Sequence, residues 1–144
     1  MWLAHKGRHC TNKRRFRRGI ALSDNCPFCS GPESTNHLLF SCQHLQPLWD
    51  ELNSLTPDRS SDVINLWGGG INNRVRSTVL IVVLWNIWKR RNAKVFRNDT
   101  QLIHLIAREA ANDIVLWAHR CADEGAQDLL RDWSTILFHL PERL

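Results

Sequence analysis

Residues 26–42, with the sequence CPFCSGPESTNHLLFSC, contain three cysteines and one histidine in the pattern Cys-x2-Cys-x7-His-x4-Cys. Three thiols and one imidazole at such close spacing are typical of the ligands of structural zinc sites. A Cys-x2-Cys turn lets two thiolates converge on one ion. The pattern therefore predicts a Zn²⁺ site, and its predicted ligands are Cys26, Cys29, His37 and Cys42.

The residues between the predicted ligands agree with a site of this kind. Pro27 pre-sets one turn dihedral, and Gly31 can take the left-handed conformation that a tight turn can need. His37 and Cys42 lie about one and a half helical turns apart, so a helix between them has to fray or bend near Ser41. Because four protein ligands leave no position open for a catalytic water, the pattern predicts a structural role for the metal.

Two other interpretations of the cluster stay open. Cys26 and Cys29 could form a redox pair, although a thioredoxin-like motif needs a βαβ context that this helical pattern lacks. The second interpretation is a chance cluster of these residues that binds no metal, for instance in a gene that has lost its function. His44 is a nearby alternative ligand that we expect to be exposed. Cys10 and Cys121 are expected to be ordinary thiols, and Cys121 to be buried.

Basic residues are concentrated at the start of the chain. The sequence has 19 Lys and Arg against 14 Asp and Glu, a formal net charge of +5, and no acidic residue occurs in positions 1–20. The basic residues of this segment are Lys6, Arg8, Lys13, Arg14, Arg15, Arg17 and Arg18. A basic N-terminal segment, followed by a chain with nearly equal numbers of basic and acidic residues, indicates an anionic partner such as nucleic acid or a membrane surface. A solvated helix face or a nuclear localisation signal at 13–18 is the alternative.

The remaining pattern predicts a mostly α fold, in which a small zinc-stapled helical module is followed by a helical hairpin or bundle. Residues 36–55 have apolar side chains at helical spacing, and turn-forming residues follow them. We predict a module at 1–55, a linker at 56–70 and a helical C-terminal region at 71–144.

Within the C-terminal region, residues 73–96 contain neither Gly nor Pro, which favours one long helix. A buried strand pair is the alternative for 79–84, where Val and Ile are frequent. The stretch Asn98-Asp99-Thr100 is predicted to supply the stop of this helix and the N-cap of a second helix, in a region that Gly125 would end. A short last helix follows. The apolar face of the second helix is predicted to contain Leu102, Leu105, Ile106, Ala110, Ile114, Trp117 and Cys121.

Several function classes are disfavoured. A chain of 144 residues is too short for a complete polymerase. The longest apolar run, at 79–85, falls well short of the ~20 residues that span a bilayer, so no membrane partner is expected. No spacing assembles a nucleophile, a base and an orienting group, so we predict no enzyme. Without a signal peptide, the expected location is intracellular, either nuclear or cytoplasmic.

Several separate stretches resemble one protein family. They are WLAHKGR (2–8), RRGI (17–20), CPFC (26–29), ES-x-NHLLFSC (33–42) and Trp49. Together they look like the zinc-binding domain at the C-terminal side of plant non-LTR retrotransposon reverse transcriptases. LWNIWKRRNAKVF, at 84–96, resembles a stretch with the pattern Trp-x-x-Trp-Lys-x-Arg-Asn-x-x-x-Phe that follows this domain in the same proteins.

The resemblance implies a zinc-binding accessory module of a retroelement polyprotein that helps to hold template RNA or target DNA. The metal ligands carry over as Cys26, Cys29, His37 and Cys42. The resemblance does not imply polymerase activity, because the family's catalytic Asp-Asp pair is absent from this sequence. The chain begins at a position that lies inside the usual family domain. This predicts that the chain is a fragment of a longer protein or a remnant without a selected function.

Two functional hypotheses of different classes follow. In the first, the basic segment binds RNA or DNA and the rest of the polyprotein is a further partner; in the second, zinc stabilises a structural or protein-interaction module. Phe28 could stack on a base, but packing beside His37 or Leu39 is the favoured interpretation. Trp85 and Trp88 are expected in the core. A second basic patch is predicted from Lys89, Arg90, Arg91, Lys94 and Arg97.

Overall fold

The computed structural model describes residues 8–55 and 71–144, and these residues are mostly helical. Their α-helices are α1 (Asn12–Arg17), α2 (Gln46–Leu55), α3 (Ile71–Arg97), α4 (His104–Arg120) and α5 (Glu124–His139). A π-helical turn (His37–Ser41) and two 3₁₀-helical turns (Gln43–Leu45 and Leu140–Arg143) complete the helical elements of the described residues. The predicted mostly helical fold is confirmed. Lys6 and the predicted linker at 56–70 lie outside the described residues.

The long helix predicted for 73–96 is confirmed, and the strand alternative for 79–84 is wrong. α3 has 27 residues, and its buried positions recur at three- and four-residue steps. The buried apolar side chains are Val75, Val79, Val82, Val83, Leu84, Ile87 and Ala93. The weak strand preference of Val and Ile is overridden here because packing of this face against other helices stabilises the helix.

The end of α3 also follows the sequence prediction. Asn98 adopts a left-handed φ of 52°, and its backbone N–H donates to the carbonyl of Lys94 at 3.1 Å. Asparagine tolerates this conformation better than most residues, so it is a suitable terminator at this position.

The next helix begins later than predicted. Thr100 does not cap it, since α4 starts at His104 and its N-cap, Ile103, makes no side-chain capping hydrogen bond. The carbonyl of Gln101 instead accepts a hydrogen bond from Nε of the buried Arg90, at 2.7 Å. This tertiary contact holds the connection against α3, and the hydroxyl of Thr100 accepts a hydrogen bond from Nζ of Lys94 at 2.8 Å.

Gly125 does not end the second helix, because it lies inside α5. A three-residue connection between Arg120 and Glu124 separates α4 from α5, and Asp123 caps α5 by accepting from the N–H of Ala126 at 2.9 Å. The predicted last helix is therefore longer than expected, with 16 residues. α3, α4 and α5 pack together, which confirms a helical hairpin within a bundle.

The predicted apolar face of α4 is correct only in part. Ile106, Ala110 and Ile114 are buried, whereas the side chains of Leu102 and Trp117 are 61% and 47% exposed. Ala118 takes the buried position one turn after Ile114, and the predicted burial of Cys121 is only partial.

One cluster of buried side chains extends from Cys26 to Leu140 and includes residues from both sides of the predicted linker. Trp49 contributes to it, and its indole N–H donates to the carbonyl of Leu39 at 3.1 Å. Among the helices of the described residues, none is both long and apolar enough to cross a membrane.

Candidate metal centre

The first two predicted ligands lie in a short hairpin. Its two sides meet at an isolated β-bridge between Asn25 and Pro32, and the N–H of Cys26 donates to the carbonyl of Gly31 at 2.8 Å. Gly31 does not adopt the left-handed conformation expected from the sequence. Its lack of a side chain matters for another reason, because a Cβ there would lie 3.4 Å from Cε1 of His37 and 3.8 Å from Sγ of Cys29.

The other two ligands flank a π-helical turn. A helical segment starts at Thr35, widens to a π-helix over His37–Ser41 and ends at Cys42, whose backbone is extended. The hydroxyl of Ser34 accepts a hydrogen bond from the N–H of His37 at 3.0 Å. A π-helix closes its hydrogen bonds between residues five apart, so its wide turn brings His37 and Cys42 to one side. The predicted bend at Ser41 takes this form.

The four side chains converge on one point. Their ligand atoms all lie within 4.8 Å of one another. Sγ of Cys42 is 3.8 Å from Sγ of Cys26 and 3.9 Å from Sγ of Cys29, and Nε2 of His37 is 3.2 Å from Sγ of Cys29. Sulfur ligands set tetrahedrally around zinc at about 2.3 Å lie roughly 3.8 Å apart. The donor set and its spacing therefore fit a tetrahedral metal ion.

The electrostatics of the cluster also favour a cation. A hydrogen bond to Cys42, together with burial, raises the pKa of Cys26, and the same hydrogen bond lowers the pKa of Cys42. Thiols this close resist joint ionisation because each thiolate repels the next. A divalent metal ion removes this repulsion, so it can hold all three as thiolates.

Arg90 of α3 packs against Phe28 of the hairpin. Its guanidinium carbon lies 4.0 Å from the ring centroid of Phe28, and the side chain is buried. Burial lowers the pKa of Arg90, whereas the negative charges of Cys42 and Cys26 act in the opposite direction. Phe28 also lies beside His44, with 6.4 Å between the ring centroids, and packs against the cluster of buried side chains that contains Leu39.

A buried ion pair connects the hairpin to α3. Nη2 and Nε of Arg91 donate to the two carboxylate oxygens of Glu33 at 2.6 and 3.1 Å, and both side chains are completely buried. Oε1 of Glu33 also accepts the backbone N–H of Asn12, at the start of α1. Oδ1 of Asn12 accepts from Arg91 at 2.9 Å. Glu33 therefore holds three elements together next to the metal ligands.

Residues 1–49, about a third of the chain, match the model of a family described as zinc-binding in reverse transcriptase. The match and the cluster of three cysteines and one histidine support a reverse transcriptase zinc-binding domain in this part of the chain. No curated protein and no solved structure matches the chain.

The predicted nucleic-acid-binding residues do not share one environment. Arg8, Arg17 and Arg18 are exposed, whereas Lys13, Arg14 and Arg15 are half-buried. The predicted contact residue Lys6 lies outside the described residues.

Two predictions about the aromatic and basic residues of α3 need correction. Arg90 and Arg91 are buried, so they do not contribute to an exposed basic patch, and only their charged neighbours Lys89, Lys94 and Arg97 remain accessible. Trp85, expected in the core, is 48% exposed. Trp88 is half-buried and stacks on His9, with ring centroids 4.5 Å apart.

Glu33 and Arg91 are the structural residues that sequence reasoning missed. Both occur in the stretches that carry the family resemblance, but neither charge has a partner nearby in sequence. They are 58 positions apart, and a pair at such separation has no local sequence signal.

Proposed function

We propose that residues 1–55 form a zinc-binding module of a reverse transcriptase, and that Cys26, Cys29, His37 and Cys42 bind one Zn²⁺. The sulfur–sulfur distances of 3.8 and 3.9 Å between Cys42 and the other two cysteines are the observation that carries this proposal. The ion would link the hairpin to the π-helical turn. Four protein ligands complete a tetrahedron, so its role would be structural and the module would not be an enzyme.

Metal content and ligand identity test this part of the proposal. We expect one zinc ion per chain by native mass spectrometry and a tetrahedral sulfur-rich absorption spectrum after substitution with Co²⁺. Cys29→Ser should abolish stoichiometric binding, whereas Cys121→Ser, a thiol outside the cluster, should leave it unchanged. Equal metal content in the two variants would contradict the assignment.

We further propose that the module binds RNA or DNA through its basic N-terminal segment. The contact residues would be Lys6, Arg8, Lys13, Arg14, Arg15, Arg17 and Arg18. The segment is free of acidic residues, and three of its arginines are exposed in the structure. Lys and Arg side chains that neutralise phosphates release counterions, so affinity should fall steeply with salt.

A salt titration tests this second part. Fluorescence anisotropy with single-stranded RNA and DNA oligonucleotides should show a linear fall of log K with log salt concentration. Replacement of Lys13, Arg14, Arg15, Arg17 and Arg18 by Ala should reduce both the affinity and the slope. Affinity that does not change in the variant would refute nucleic-acid binding through this segment.

The origin of the chain is proposed from the resemblance of its motifs. We propose a plant non-LTR retrotransposon, with the rest of the polyprotein as a partner and a nuclear or cytoplasmic location. A reverse transcriptase coding region directly upstream in the genome would support this origin. The alternative of a remnant without selected function predicts no such reading frame and no detectable expression.

Exposed tryptophans favour a second candidate function, that of a protein-interaction module. Trp85 and Trp117 are each about half exposed and flank a cavity of about 280 Å³ that Ile81 and Val82 also line. Exposed apolar surface of this kind is often a contact site. Size-exclusion chromatography of the zinc-loaded protein tests it; a stable monomer whose behaviour is unchanged by Trp117→Ser would count against this candidate.

A further inference from the structure

A cavity of about 240 Å³ lies beside α1, close to the metal centre. It is lined by Thr11, Lys13, Arg14, Arg17, Ser34 and Thr35. Three of these side chains are cationic and three carry a hydroxyl group, and none of the described residues that line the cavity is acidic. Lys, Arg, Ser and Thr are side chains that contact the phosphate groups of nucleic acids.

The hydroxyl side of the cavity is held by the metal-binding segment. Oγ of Ser34 accepts the N–H of His37 at 3.0 Å, which leaves the hydroxyl hydrogen of Ser34 for donation to another acceptor. Thr35 begins the helical segment that leads to His37. A metal ion bound to His37 would therefore keep both hydroxyl-bearing residues in place.

The cationic side is held by the buried ion pair. Asn12 and Lys13, at the start of α1, each donate a backbone N–H to Glu33, which Arg91 holds in turn. Because Glu33 directly precedes Ser34, the two sides of the cavity share one support. Such pre-organisation lowers the cost of ordering side chains around a ligand.

The basic residues of α1 differ in their contacts: some line the cavity and one packs against α3. Lys13, Arg14 and Arg17 line the cavity, whereas Nη1 of Arg15 donates to Oδ1 of Asn12 at 3.0 Å. The guanidinium of Arg15 also lies over the ring of Phe96, 5.2 Å from its centroid. Arg15 therefore packs α1 against α3 and does not line the cavity.

We propose that this cavity binds a backbone phosphate of an RNA or DNA strand, with Lys13 and Arg17 as its charge contacts and Ser34 and Thr35 as neutral donors. This inference rests on the proposed nucleic-acid-binding function and assigns it a defined subsite. Arg14 also lines the cavity, and the remaining basic residues of the segment would contact the strand outside this subsite.

Two charge-matched double variants test the subsite in the zinc-loaded full chain. Lys13→Gln with Arg17→Gln removes two charges from the cavity, and Arg8→Gln with Arg18→Gln removes two charges from exposed positions outside it. With single-stranded RNA and DNA 20-mers as separate probes, the cavity pair should lose about tenfold or more in affinity. The control pair should lose less than about threefold.

A neutral variant keeps the test independent of net charge and of folding. Thr35→Ala should lower affinity about threefold without a change in the salt slope, because counterion release depends on charge alone. Zinc content and circular dichroism verify that each variant is folded. Equal losses for the two double variants, or unchanged affinity of Thr35→Ala, would overturn the subsite. Absence of salt-dependent binding by the wild-type chain would instead refute the proposed function itself.

Discussion

At the residue scale, two neighbouring arginines of α3 have structural roles that their charge does not indicate. Arg91 is completely buried against Glu33, and Arg90 lies between Phe28 and the carbonyl of Gln101. A buried ion pair contributes little net stability compared with an apolar pair, but removal of one partner leaves an uncompensated charge. We infer that Glu33 and Arg91 make the docking of the hairpin on α3 specific.

A single substitution measures this role. Arg91→Met should lower the free energy of unfolding by about 3–5 kcal/mol, because the carboxylate of Glu33 then stays buried without a counterion. Urea unfolding of the zinc-loaded protein is the measurement. Arg131→Met is the matched control, since Arg131 pairs with Asp128 at an exposed site and should cost less than about 1 kcal/mol. Similar losses in both variants would contradict the prediction.

His9 should make stability depend on pH. Its side chain is buried against Trp88, and burial lowers its pKa from 6.5 to about 4. Between these values the unfolded chain binds the proton and the folded chain does not, so stability falls as pH decreases below 6.5. The expected loss from pH 7 to pH 5.5 is about 1 kcal/mol.

His9→Phe isolates this effect, because phenylalanine keeps a ring against Trp88 but does not titrate. Protonation of the metal ligands affects wild type and variant equally, so the difference between their pH profiles reports on His9. Parallel profiles from pH 7 to pH 5.5 would be inconsistent with a depressed pKa.

At the scale of elements, helix ends were set by a mixture of local and tertiary contacts. Asn98 terminates α3 by its own backbone conformation, as its sequence position predicts. Thr100 has the right side chain for a cap, yet its hydroxyl accepts from Nζ of Lys94 and α4 starts only at His104. The cap of α5 is local again, since Asp123 accepts from Ala126.

The cap of α5 leads to a simple prediction. Asp123→Ala should destabilise the protein by about 1 kcal/mol, because the N–H of Ala126 loses its acceptor at the helix start. Asp123→Asn keeps an acceptor oxygen and should cost only a few tenths of a kcal/mol. Thermal unfolding of the three proteins under identical conditions is the measurement; the same transition temperature for Ala and wild type would contradict it.

At the scale of the whole molecule, the metal-ligand segment and the helical bundle are joined through buried side chains. Cys26 and Cys42 belong to the same cluster of buried residues as Ile114 and Leu137. The division into a module at 1–55, a linker at 56–70 and a helical region at 71–144 stays a prediction. The shared cluster suggests that loss of the metal affects more than the hairpin.

Metal removal should therefore lower the stability of the entire chain. We expect chelation to reduce the helical circular dichroism signal and to lower the melting temperature by about 10 °C or more, since structural zinc contributes folding free energy. Cys29→Ser should reproduce this loss without a chelator, and Cys121→Ser should melt like wild type. A chelated protein with unchanged helicity and melting temperature would refute a structural metal.

Much of the fold and of the candidate site was predictable because its signals are local. The spacing of Cys26, Cys29, His37 and Cys42 indicates a metal site, and the apolar period of residues 73–96 indicates a helix. Both signals come from side chains a few positions apart, where chain geometry alone limits the possible distances. The π-helical turn was not predictable, because an α-helix and a π-helix over five residues have no distinct sequence pattern.

By itself, the sequence determined the helical class of the protein, the four residues that converge, and the concentration of positive charge before them. Only the tertiary structure decided which charges are accessible. Arg91 and Glu33 are buried together, Arg15 packs on Phe96, and Lys13 and Arg17 line a cavity. The physical reason is that burial and pairing of a long charged side chain depend on partners distant in sequence, which composition and spacing do not specify.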